Sequence, residues 1–98
     1  MVKIGFKQAK NQILKVLDDG TYQHETRDDY VEKNKFQNGD ISKEEVKRII
    51  ISCCGDDYES QPHHQAKHIE VHIIKKSSWY IKFYFLDEDG AMFISVHQ

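Results

Sequence analysis

Proline is almost missing from this chain. Pro62 is the single proline in 98 residues, so a proline-rich linker is excluded. Cysteine is scarce and closely placed. Cys53 and Cys54 are adjacent, which is neither a CxxC metal motif nor a spaced disulfide framework. Cys53 is expected in the core and Cys54 is incidental. No apolar run is long enough to span a bilayer. The opening MVKIGFKQAK lacks the apolar stretch of a signal peptide. A cytoplasmic protein without a membrane partner is therefore expected. Charge of one sign is also lacking. The formal net charge is −2, which argues against a protein that coats nucleic acid with positive charge. There is no P-loop, GxGxxG, GxSxG or HExxH, and no cofactor is expected. No repeat or low-complexity stretch divides the chain, so residues 1–98 are expected to form a single domain.

The informative stretch is His68 to Gln98, which reads HIEVHIIKK, SS and WYIKFYFLDEDGAMFISVHQ. Apolar and polar residues alternate, and β-branched and aromatic residues are dense. This pattern predicts consecutive antiparallel strands near 68–75, 79–86 and 91–97. Asp89-Gly90 reads as a hairpin turn, with Gly90 supplying positive φ. Pairing Leu86 with Ala91 puts Phe85, Met92, Phe83, Ile94, Ile81, Val96 and Trp79 on one apolar face. A three-residue loop over Lys76, Ser77 and Ser78 adds Ile73 and Val71 to that face. The opposite face then gathers Glu70, His72, Tyr80, Lys82, Ser95 and His97, with Tyr84 beside Phe93. Burial sets this register, because a one-residue slip exchanges the two faces.

The N-terminal half reads as helical. Phe6, Ala9, Ile13, Val16 and Leu17 recur at helical spacing, which predicts a helix near 5–18 ending at Gly20. Thr26 and Asp29 suggest a short helix beside Tyr30 and Val31. Asn38-Gly39 marks a turn. Ser42 and Glu45 form a capping box for a helix near 43–53, with Val46, Ile49, Ile50 and Cys53 on one face and Gly55 as its stop. Helices followed by strands imply an α+β domain. Two or three N-terminal helices should pack on one face of a twisted antiparallel sheet of at least three strands, leaving the other face open.

That open face carries the chemistry of greatest interest. RNA is cleaved without metal by proton transfer at the ribose 2′-hydroxyl and at the leaving 5′-oxygen. Such a site needs a base, an acid and a cation for the developing phosphorane charge. His72, Tyr80, Lys82 and His97 are the candidate catalytic groups. Glu70, Tyr84, Phe93 and Ser95 are candidate substrate contacts, with Tyr84 and Phe93 as stacking platforms. The competing interpretation is a solvated sheet face with ordinary cross-strand pairs.

Two other clusters carry less. His64, His68 and His72 have the spacing of helical zinc ligands beside His63, but the β pattern of HIEVHII contradicts a helix. On a strand, His68 and His72 lie about 13 Å apart at roughly 3.3 Å per residue, too far for one ion. No metal site is expected. The acidic residues Asp28-Asp29, Glu44-Glu45 and Asp56-Asp57-Tyr58-Glu59 read as solvated helix faces and loops.

Asp57-Tyr58-Glu59-Ser60, Glu70-Val71-His72, Tyr80-Ile81-Lys82-Phe83 and Ile94-Ser95-Val96-His97 together resemble the C-terminal half of MqsR-type toxins. Those are ribosome-independent or RelE-like mRNA interferases of toxin–antitoxin systems. The resemblance implies a RelE-like α+β fold, endoribonuclease activity on mRNA, possible action on the ribosome, and a cognate antitoxin as partner. Of the family's catalytic positions, the Tyr is kept at Tyr80, while its Lys falls on Glu59 and its Gln on Ile69. The chemistry would then pass to His72 or His97 as base and Lys82 as phosphate ligand. Tyr80 would be the acid or would stabilise the leaving group. A non-catalytic protein- or RNA-binding module, such as an immunity or antitoxin-like partner, is the alternative.

Overall fold

The computed structural model describes residues 5–24, 35–36, 39–63, 69–86 and 90–98. Helix α1 (Phe6–Asp19) is followed by strand β1 (Tyr22–His24), helix α2 (Lys43–Ser52) and a 3₁₀ turn (Gly55–Asp57). Strands β2 (Tyr58–Pro62), β3 (Glu70–Lys76), β4 (Trp79–Phe85) and β5 (Ala91–His97) complete the chain. The class is α+β, as expected. The five strands form one sheet in the order β1-β5-β4-β3-β2. The sheet is mixed, because β1 runs parallel to β5 while the other pairs are antiparallel. The short helix expected from Thr26 lies outside the described residues. Among those described, no helix is long and apolar enough to cross a membrane.

Both helices form for the reasons their spacing suggests. Ala9, Ile13, Val16 and Leu17 are the buried stripe of α1. Gly20 caps it at φ 74°, returning its N–H to the Val16 carbonyl, the left-handed ending that glycine favours. In α2 the Ser42 hydroxyl accepts from the Glu45 N–H at 3.2 Å. Val46, Ile49 and Ile50 are buried. The helix stops at Ser52 rather than at Gly55, since Cys53 is already extended. Lys10 of α1 donates to the Ile51 and Cys53 carbonyls at 2.8 and 3.0 Å. It thereby satisfies carbonyls that a helix end leaves without partners. The helices bury these stripes against Ile74, Ile81, Phe83, Ala91, Phe93 and Val96.

The expected strands are present, but two register details differ. Between β3 and β4 the pairs are Val71 with Tyr84, His72 with Phe83, Ile73 with Lys82 and Ile74 with Ile81. This is one residue from the expected alignment. The turn holds two residues, Ser77 and Ser78, both at positive φ (55° and 68°). A two-residue turn of this kind matches the right-handed strand twist. The slip turns every β3 side chain over. Ile74, His72 and Glu70 therefore face the helices, and Val71 and Ile73 lie on the opposite face, where they too are buried.

The β4–β5 hairpin keeps the expected pairs Tyr80 with His97, Ile81 with Val96 and Lys82 with Ser95. Beyond them Phe83 pairs with Phe93 and Phe85 with Ala91. Ile94 is the extra residue of a β-bulge, and it turns Phe93 into the core. Gly90 has no positive φ. Its role is close approach, because a Cβ there would lie 3.0 Å from the Thr21 carbonyl oxygen. That carbonyl accepts from the Ala91 N–H at 3.2 Å and ties β1 to β5.

Candidate functional site

The residues expected to converge on one face are divided between two. Tyr80, Lys82, Tyr84, Ser95 and His97 lie on the outer face, each half-buried. Among the described residues, both helices pack on the other side. Three expected members lie on the helix side instead. His72 (2% exposed) and Glu70 (8%) are turned there by the β3 slip, and Phe93 (0%) by the bulge. None of these three can meet a substrate on the outer face.

His72 sits in a closed setting. Its ring stacks between Phe83 (centroids 5.5 Å, 27°) and Tyr58 (5.8 Å, 25°), with Phe85 at 5.2 Å. Nδ1 shares a 2.7 Å hydrogen bond with the Tyr58 hydroxyl, and Nε2 lies 3.7 Å from Glu70 Oε1. Burial pushes the imidazole pKa down, against the opposing pull of the Glu70 charge. Burial also pushes the Tyr58 phenol up, helped by Glu70. Tyr58 and His72 thus satisfy each other inside the protein, as buried polar side chains usually do.

The outer face is different. Lys75, Tyr80 and His97 stand side by side on β3, β4 and β5. The Tyr80 and His97 rings stack with centroids 5.0 Å apart and planes at 21°. The Lys75 ammonium lies 5.9 Å from the Tyr80 centroid. His97 Nδ1 lies 3.2 Å from the Gln98 carbonyl oxygen. A carbonyl only accepts, so Nδ1 is the donor in that bond, which leaves Nε2 as the ring nitrogen open to another partner. In the next row Glu59, Ile73, Lys82 and Ser95 align across β2 to β5. Glu59 reaches back to Lys75 at 2.9 Å, and its hydrogen bond and charge hold the lysine pKa above its ordinary value. Tyr84 packs edge-on to His63 at 5.5 Å. The two rows thus bring together an imidazole, a phenol and two ammonium groups.

Lys75 and Tyr58 were not singled out by the sequence. The signal for Lys75 is the two-residue Ser-Ser turn, because with it Lys75 falls opposite Tyr80. Tyr58 needs β2, whose YESQP carries little strand character. Among the described residues, no group of three or more His, Cys, Asp or Glu is placed to hold a metal. His64 and His68 lie outside them. Comparison with known families, with characterised proteins and with solved structures found no significant match.

Proposed function

We propose that the protein is a metal-independent endoribonuclease acting on mRNA, the toxin of a toxin–antitoxin pair, held inactive in the cytoplasm by a cognate antitoxin. The observation that supports this most is the Lys75–Tyr80–His97 row on the face away from the helices. In this reading His97 Nε2 takes the proton of a ribose 2′-hydroxyl. The 2′-oxygen bonds to phosphorus as the P–O5′ bond breaks. Lys82 and Lys75 stabilise the charge on the phosphorane oxygens. Tyr80 gives its phenol proton to the departing 5′-oxygen and recovers one from solvent, to which His97 releases the proton it took. The products are a 2′,3′-cyclic phosphate and a 5′-hydroxyl. His72, enclosed at 2% exposure, drops out as a base.

The test is incubation of the purified chain with mRNA, alone in EDTA and with ribosomes in magnesium buffer, followed by analysis of the ends. Cleavage with cyclic phosphate ends supports the proposal, and intact mRNA in both settings ends it. One observation favours a second reading, a non-catalytic RNA- or protein-binding module. Glu59 already neutralises Lys75 and stands where the resembled family has its lysine. Growth arrest on expression of the wild-type chain separates the two, since only the nuclease should produce it.

A further inference from the structure

The β3–β4 hairpin ends in a groove of about 320 Å³ lined by Lys75, Lys76, Ser77, Ser78, Trp79 and Tyr80. Three features of this groove are unusual together. The first is the turn, whose two residues are both non-glycine at positive φ. That region is uncommon for residues with a Cβ, and Asn-Gly would occupy it with less strain. Such strain collects where the local structure serves a ligand. The second is the lining, which combines two ammonium groups, two exposed hydroxyls, an indole and a phenol. The third is position. Lys75 and Tyr80 belong both to the groove and to the row that contains His97.

We infer that this groove is a ribonucleotide subsite, holding the nucleotide next to the phosphate that the outer row addresses. The volume falls in the range of small-ligand sites, near its lower end. The Tyr80 phenol on the outer face offers surface for a base, with Trp79, which packs partly against the core, closing the far side of the groove. The lysines offer charge for its phosphate, and the serines hydroxyls for base or ribose edges. Lys75 is paired with Glu59 at 2.9 Å and Lys76 with Asp57 at 3.7 Å. The first pair is more than half exposed and the second is partly so. Such pairs hold weakly against a competing phosphate. The inference deepens the ribonuclease reading and rests on it for the identity of the ligand, while the groove itself is testable without cleavage.

The experiment measures binding of a fluorescein-labelled single-stranded RNA by anisotropy across a salt series. All proteins carry His97→Ala so that the probe stays intact. The key variant replaces Ser77→Asn and Ser78→Gly together, which suits the turn but removes both hydroxyls. It should melt higher, by about 4–8 °C for each strain relieved at the scale of this domain, and yet bind RNA about tenfold more weakly. Lys76→Gln should lower the salt slope of binding by about 0.7. Tighter folding with weaker binding is the signature of strain held for a ligand. Unchanged affinity in both variants, with melting showing them folded, overturns the subsite. So does a parent protein that binds no RNA. Cleavage by the wild-type chain with unchanged groove variants would remove the subsite and leave the nuclease standing. Weakened binding without any cleavage would do the reverse.

Discussion

His72 and His97 occupy neighbouring regions of one sheet, and each stacks against a tyrosine. His72 lies on the helix side with Tyr58, and His97 lies on the outer side with Tyr80. The first has both ring nitrogens directed at internal groups, Tyr58 and Glu70. The second has one nitrogen tied to a backbone carbonyl and stays half-buried. The same two residue types thus serve packing on the helix side and stand half-buried on the outer side. Which role each takes depends on strand register, not on residue type.

The largest effect should separate the faces by stability. Phe83 is 0% exposed beneath the helices, and Phe83→Ala should cost about 3–5 kcal/mol in denaturant melts. Tyr84→Ala, on the outer face, should cost much less. Equal losses would break the assignment of faces.

The buried pair gives the next effect. Tyr58→Phe removes the partner of His72 Nδ1 and should cost about 1–3 kcal/mol, the penalty for leaving a buried polar atom unsatisfied. The Tyr80 hydroxyl has no hydrogen bond among the described residues, and Tyr80→Phe should leave stability within about 0.5 kcal/mol. A stability loss at Tyr80 as large as at Tyr58 would erase the contrast.

Acid provides a third test. Burial lowers the folded-state pKa of His72 and His24 below the ordinary 6.5. Unfolded chains therefore take up these protons first as pH falls. The stabilisation is complete above pH 6.5 and is lost below it, down through the folded-state values. Melts at pH 7.5 and 5.5 should show lower stability in acid, and His72→Gln should reduce the difference. An unchanged difference would show that His72 is not the closed group described. The smallest effect is expected at the exposed pair. Glu59→Gln releases Lys75 and should leave the melting midpoint almost unchanged, because both partners are solvated.

Much of this arrangement is legible in the sequence, and the illegible parts have physical causes. The helices are readable because one apolar stripe of each is buried and the remainder is polar. The pairs Tyr80–His97 and Lys82–Ser95 are readable because β4 alternates cleanly. The register of β3 is not, because Glu70 through Ile74 are buried on both faces. With Ile73 and Ile74 adjacent, alternation supports either alignment. The deciding information is the backbone of Ser77 and Ser78, whose positive φ is not a serine preference. The bulge at Ile94 has a similar character, as nothing in MFISV distinguishes the extra residue. Strand β1 has three residues, too few for a period, and it is held through the Thr21 carbonyl and Gly90.

The most direct test of the two-face account is the rate of RNA cleavage by folded His97→Ala and His72→Gln proteins against the wild type. Removing a proton-transfer group at the reacting site should slow cleavage about 10²–10⁴-fold. The account predicts that loss for His97→Ala, and a rate within a few-fold of wild type for His72→Gln. A large loss for His72→Gln with His97→Ala near wild type would contradict it.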